Sequence, residues 1–337
     1  MPARDIVVVG ASSGGIEALR TLVGGLPNDF PASLFVVLHV APQSPGILAD
    51  ILERAGRLPA ANARNGERMR PHRIYVASPD HHLVLEPGVV RVTRGPRENR
   101  FRPAVDPLFR SAAQVYGPRV TGVILTGGLD DGTAGLWAVK RLGGVAVVQD
   151  PQEALAPSMP ESALRHVQVD YCLPLAQIAP LLVRLASEPM TEKGAQQVSE
   201  EMDIEVKIAK EDKALDIGVL KLGAPSHFTC PECHGVLLQL KEGERVRFRC
   251  HTGHAYSLDS LLAEIEEMIE ESLWSSIRSI DENVMLLQQV AQHLRDHADA
   301  DAAELFLNKA QDALRRSDLV RQAVMNQSEP GAVQIAE

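Results

Sequence analysis

Up to about residue 190 the apolar positions fall in short continuous runs, separated by stretches with helical spacing. Ile6–Val9 reads IVVV and is followed by a glycine turn and an amphipathic stretch, Ile16–Val23. Ser33–Val40, Ile74–Ser78, Val120–Gly127, Val145–Gln149 and Val169–Pro174 repeat the pattern. His82–Thr93 reads as a hairpin turning at Pro87-Gly88. Continuous rather than alternating apolar runs imply strands covered on both faces. Strands alternating with helices predict an α/β fold with a doubly wound, mostly parallel sheet. In that architecture, sites form beyond the carboxyl ends of the strands.

The pattern changes after residue 188. Residues 189–225 are polar and poor in aromatics, and read as a linker. Residues 226–257 hold a compact cysteine cluster. From Leu258, apolar residues (Leu261, Ile265, Met268, Ile269, Leu273, Ile277, Ile280, Val284, Leu287, Leu294) recur every three or four positions, as on an amphipathic helix. Ser257 is placed to cap it, with Asp259 in its first turn. A turn at Asp296–Ala300 and a second helix over about Ala302–Met325 complete a helical hairpin spanning 258–327, with a tail at 328–337. A packed hairpin is the simpler reading of this region, and a docking surface for a partner is the alternative.

Composition narrows the class. The chain has 337 residues, 45% hydrophobic and 23% charged, which excludes wholesale disorder. No apolar run approaches the ~20 residues that span a bilayer, and the start leaves no room for a signal peptide. Four cysteines are too few for a disulfide scaffold, so the expected compartment is the cytoplasm. The net charge of −10 belongs to the tail: from Leu258 to Glu337, 16 acidic residues face 6 basic ones. That balance argues against a nucleic-acid partner.

Gly10-Ala11-Ser12-Ser13-Gly14-Gly15 lies where the first strand becomes a helix. Such a turn can cradle a dinucleotide phosphate, expose a nucleophilic serine as G-x-S-x-G does, or simply cap a helix. A dinucleotide fold wants an acidic residue ending the second strand, and here that place is taken by His39. A nicotinamide-type oxidoreductase is therefore disfavoured. A serine nucleophile needs a base and a group that orients the base. His39 ends one strand and Asp131 follows another, so three strand ends supply Ser12, His39 and Asp131.

These residues carry a family resemblance. VVVGASSGGIEAL (Val7–Leu19), VLHVAP (Val37–Pro42), FRPAVDPLF (Phe101–Phe109), ILTGGLDDGTAG (Ile124–Gly135) and VVQDPQEALAPSMPESAL (Val147–Leu164) occur in the order found in the CheB-type chemotaxis methylesterases, so 1–188 resembles their catalytic domain. The resemblance implies hydrolysis of glutamyl methyl esters on methylated chemoreceptor-type proteins, with glutamine deamidation as a second activity. It makes Ser12 the nucleophile, His39 the general base and Asp131 the residue that orients His39, and leaves Asp130 as a neighbour. No cofactor is needed for catalysis. Backbone groups around Ser13 and Gly128 are the expected oxyanion donors, although Gly128 stands where the family has methionine. Arg102 and Asp106 fall near the expected rim, with Arg102 either touching substrate or sitting in an ordinary ion pair. His81 and His82 are expected at a surface or rim, Met159-Pro160 in a cleft wall, and Cys172 as a buried thiol. The chain starts at the catalytic domain, so phosphorylation-driven release by an N-terminal receiver domain within the chain is not expected. A catalytically silent scaffold that binds signalling partners through its C-terminal region is the alternative.

Cys230-Pro231-Glu232-Cys233 is followed by Cys250-His251-Thr252-Gly253-His254. Two such turns can close a tetrahedron, so the spacing predicts a zinc-ribbon-like module with structural zinc on Cys230, Cys233, Cys250 and His254. His251 is the competing fourth ligand. Leu237–Cys250 fits the ribbon hairpin, turning at Glu242-Gly243. The segment resembles the C-terminal extension of some stand-alone methylesterase homologues. The zinc module and hairpin are expected either to recruit a receptor or to gate the site.

Overall fold

The computed structural model describes residues 3–189, 197–211, 213–242, 245–297 and 299–327. In chain order its elements are β1 (Ile6–Ala11), α1 (Gly15–Gly24), β2 (Ser33–Leu38), α2 (Leu48–Ala55), β3 (Ala60–Asn62), β4 (Glu67–Arg68), β5 (Arg73–Val76), β6 (His82–Glu86) and β7 (Val89–Thr93). There follow α3 (Val105–Tyr116), β8 (Val120–Ile124), α4 (Thr133–Arg141), β9 (Val145–Gln149), α5 (Ser158–His166), β10 (Tyr171–Leu173), α6 (Leu175–Ser187), α7 (Glu200–Lys210) and α8 (Ala214–Ile217). The last are β11 (Ala224–Thr229), β12 (Val236–Glu242), β13 (Arg245–Cys250), β14 (Ala255–Ser257), α9 (Leu258–Asp296) and α10 (Ala300–Gln327).

Seven strands form one sheet in the order β10-β9-β8-β1-β2-β5-β3, and every pairing in it is parallel. The periodicity reading of β1 is met residue by residue. Ile6 and Val8 enter one core, with Phe35, Val105 and Phe109, while Val7, Val9 and Ala11 enter the other, with Leu19, Leu34 and Val123. From β1 the chain builds outward to one side through β2 and later to the other through β8. The crevice at the carboxyl end of β1 is thus the topological switch point.

The chain divides into two compact units, one ending at Leu261 and one starting at Leu262. The first holds far more than residues 1–188. Within the stretch read as a linker, α7 buries Met202, Ile204, Val206, Ile208 and even Glu205. Its polar composition hid this because one of its charges, Glu205, is paired internally rather than solvated. Arg247 of β13 meets Glu205 at 2.8 Å, and Arg249 of β13 reaches Glu205 and Glu98, each at 2.9 Å. Arg110 of α3 closes the network on Glu98. Buried charges are tolerable only when paired in this way. A four-stranded antiparallel sheet, β11-β12-β13-β14, forms where the ribbon is expected. Gly243 of the turn read at Glu242-Gly243, part of 189–225 and the tail 328–337 lie outside the described residues.

Ser257 caps α9 as expected, its Oγ accepting the Ser260 N–H at 3.0 Å. In the second unit, Val284 of α9 packs with Ala310 and Ala313 of α10, flanked by Ile280 and Leu287. Met268 and Ile269, on the apolar face of the predicted helix, are exposed. Among the described residues, no helix is long and apolar enough to cross a membrane.

Candidate active site

Three loops meet at the switch point. Ser12 leaves the end of β1, and its N–H is held by Thr126 O at 2.9 Å, from the loop after β8. Gly14 caps α1 at φ 75, a left-handed conformation that glycine adopts without steric cost. Gly127 permits the close approach: a Cβ there would stand 2.8 Å from Ser12 Cβ and 2.1 Å from Met159 Sδ. His39 follows β2 directly, its N–H bonded to Ala11 O at 3.2 Å.

His39 Nε2 lies 2.7 Å from Asp131 Oδ2, with side chains only 2% and 3% exposed. Asp131 is a heavily used acceptor. It takes the N–H groups of Val105 (2.6 Å), Gly132 (2.9 Å) and Asp106 (3.2 Å), and the Asn99 amide at 2.9 Å. Burial works to raise its pKa, but the bond and charge of His39 and these donors hold the carboxyl below the usual value. As a carboxylate Asp131 must receive the Nε2–H, which leaves Nδ1 as the basic nitrogen. His39 Nδ1 is buried and has no hydrogen-bond partner. The imidazole stacks on Phe101, ring centres 3.8 Å apart and planes 8° apart, which fixes its plane.

Ser12, Ser13, His39 and Phe101 line one cleft of about 480 Å³, together with Arg97, Arg100 and Arg102. Arg102 is in the ion pair that was one of its two expected readings: Nη2 meets Asp80 at 2.6 Å and Nη1 meets Gly95 O at 2.8 Å. Gly128 is not among the residues that line this cleft. Asp106 is buried rather than at a rim, with Oδ1 accepting the Gly135 N–H at 2.6 Å. Burial, then the charge of Asp131, pushes its pKa up to about 6. Burial likewise pushes Asp130 up to about 7, against the lowering effect of its bond from Ser257 Oγ (2.6 Å).

Three minor expectations need correction. His82 is fully buried, not at a rim, because Nε2 finds Pro96 O at 2.8 Å and Nδ1 the Ala104 N–H at 3.3 Å. Cys172 is exposed, because β10 is the edge strand of the sheet. Met159 is buried under Gly127 and does not line the cleft with Ser12. Sequence reasoning gave no role to Asn99 or Phe101. Asn99 stands just outside the quoted segments, and the donors to its amide oxygen come from residues more than 150 positions away.

Away from the cleft, one ligand atom from each of Cys230, Cys233, Cys250 and His254 lies within 4.8 Å of the others. Cys233 and Cys250 Sγ are 3.5 Å apart, and His254 Nδ1 is 3.7 Å and 3.6 Å from Cys230 and Cys250 Sγ. His254 Nε2 faces Glu232 at 3.3 Å. His251 packs instead against Gly235, where a Cβ would come within 2.2 Å of its ring.

The fold and this constellation define a class: a doubly wound α/β protein with a serine beside a His–Asp pair at the switch point. The chain belongs to the CheB methylesterase family, which matches residues 7–182. A relative from Leptospira interrogans serogroup Icterohaemorrhagiae serovar copenhageni, named a putative protein-glutamate methylesterase/protein-glutamine glutaminase, is 40% identical over 182 residues. Those residues are 54% of this chain and 94% of the relative. A protein-glutamate methylesterase/protein-glutamine glutaminase of Anaeromyxobacter dehalogenans is 42% identical over 181 residues, 52% of this chain and 53% of the relative. The crystal structure of the Thermotoga maritima CheB methylesterase catalytic domain is 36% identical with a TM-score of 0.52, covering 54% of this chain and 98% of that one.

Proposed function

We propose that the chain is a protein-glutamate methylesterase with protein-glutamine glutaminase activity, acting by a Ser12–His39–Asp131 triad on methylated chemoreceptor-type proteins in the cytoplasm. The observation that carries this reading is a serine sharing a cleft with an imidazole bonded at 2.7 Å to a buried carboxylate, its other nitrogen unpartnered. His39 Nδ1 accepts the Ser12 Oγ proton as Oγ bonds to the ester carbonyl carbon. Asp131 holds the ring and stabilises the imidazolium. A backbone N–H at Ser13, which lines the cleft as Gly128 does not, receives the oxyanion, worth about 3 kcal/mol. The carbonyl–methoxy bond breaks, and methanol leaves with the proton from His39. Water, deprotonated by His39, then frees the glutamate. With a glutamine side chain the leaving group is ammonia. The cationic groups of Arg97 and Arg100 at the cleft favour an acidic protein surface.

The test is methanol release from a methylated chemoreceptor, comparing the wild type with Ser12→Ala. A loss of about 10³-fold or more is expected for removal of a nucleophile. A variant as fast as the wild type overturns the triad.

The donor set of Cys230, Cys233, Cys250 and His254 suits Zn²⁺. The Cys233–Cys250, Cys230–His254 and Cys250–His254 spacings of 3.5 to 3.7 Å match the ~3.6 Å edges of a tetrahedron with Zn–S ≈ 2.3 Å and Zn–N ≈ 2.1 Å. Glu232 orients His254 from behind, as carboxylates do at such centres. Four protein ligands leave no open position, so the ion's role is to hold the ribbon turns together.

A further inference from the structure

Asn99 joins the proposed triad to a part of the chain beyond the matched segment. It is buried and sits at φ 49, a left-handed conformation that asparagine tolerates better than most residues. Its amide has four partners. Oδ1 faces the Ser257 N–H at 3.0 Å and the Ser260 hydroxyl at 3.3 Å. A backbone N–H can only donate, so the oxygen must lie on that side. Nδ2 is then left to donate to Asp131 Oδ1 at 2.9 Å and Asp106 Oδ2 at 3.0 Å. The backbone repeats the connection: Asn99 N–H bonds Ala255 O at 2.8 Å, and Ala255 N–H bonds Arg97 O at 3.1 Å. Ser257 is in turn set by its pairing with Arg247 across β13–β14.

We propose that Asn99 is a positioning residue of the esterase site. Its amide is aligned by Ser257 and Ser260, so that a segment outside residues 7–182 sets the orientation of the Asp131 carboxylate. The proposal rests on the triad reading above. Asp131 uses Oδ2 toward His39, and Asn99 grips the opposite oxygen. Without that grip Oδ1 keeps only the backbone N–H groups of Gly132 and Asp106, the carboxylate is held less tightly, and the imidazole loses part of its alignment with Ser12. The Asn99 bond also draws charge from the carboxylate. That bond is one of the contacts holding the Asp131 carboxyl below its usual value, so its loss lets the carboxyl rise and moves the protonation of the His39–Asp131 pair to higher pH.

The experiment uses the full chain and a synthetic peptide bearing a glutamyl γ-methyl ester, following methanol release. Asn99→Gly keeps the backbone free to hold its positive φ while removing the amide. Expected are a kcat about 30-fold lower, KM within about threefold, and an acidic limb of kcat/KM moved about half a pH unit upward. A folded Asn99→Gly with kcat within about twofold of wild type, or with a lower kcat and an unmoved limb, overturns the proposal; the second outcome marks a plain structural brace. If circular dichroism shows Asn99→Gly unfolded, Ser260→Ala decides. That variant removes only one donor to the amide, and a kcat about three- to tenfold lower at unchanged KM supports the proposal, whereas wild-type kinetics overturn it. Ser12→Ala run alongside separates the two readings: retained activity there defeats the triad whatever Asn99 does.

Discussion

Three neighbouring carboxyl groups, Asp106, Asp130 and Asp131, are held in different protonation environments. Asp131 is rich in donors and is held ionised, whereas Asp130 is raised to about 7 by burial, aided by Asp259, Asp106 and Asp131. For Asp130 the sign of the linkage is unusual for an aspartate. Between its unfolded value near 4 and its folded value near 7, the native state holds a proton that the unfolded state has lost, so this group's contribution makes stability fall as pH rises. Asp130→Asn removes that dependence while keeping an oxygen for Ser257 Oγ. The variant's melting temperature should exceed that of the wild type at pH 8, and the difference should shrink toward pH 5. Thermal unfolding at both values checks this, and a gap that does not change with pH would refute it. At this scale the sequence was highly legible where chemistry needs a fixed residue type at a strand end: Ser12, His39 and Asp131 all fall at the switch point. It was illegible for Asn99, whose role depends on what folds over it.

At the scale of elements, continuous apolar runs located the central strands, because a strand covered on both faces has no polar position to show. The same logic failed for α7. Its burial is partly ionic, and a charged residue at an inward position looks in sequence like a solvated one. Glu205 is the case in point: it is buried against Arg247 and Arg249, which follow it by about forty residues. Arg249 is the centre of that network, wholly buried and shared between Glu98, Glu205 and Gly253 O. Arg249→Met should lower unfolding free energy by about 3–5 kcal/mol, since it strands carboxylates already removed from water. Urea denaturation measures it, and a loss below about 1 kcal/mol would mean that Arg110 and Arg247 neutralise the site unaided.

For the molecule as a whole, the ribbon is part of the first compact unit rather than an appendage on a tether. Metal loss should therefore be felt in the unit's global stability. Protein purified in metal-free buffer should carry about one zinc per chain. Stripping it with a chelator should lower the main melting transition, not produce a separate low-temperature one. A metal content near zero would reject the zinc assignment, and an unaltered main transition would show that the ribbon folds independently of its ion.

The salt-bridged network also bears on how the molecule can be divided. A cut at residue 188, the seam suggested by composition, would leave Glu98 and Arg110 behind and carry Arg249 and Glu205 away. It would also bare the face where Ala255 lies against residues 97–99. A fragment trimmed there inherits a wound of half-matched charge and open backbone beside its own active site. Grafting the esterase portion elsewhere would first require that scar to be resurfaced.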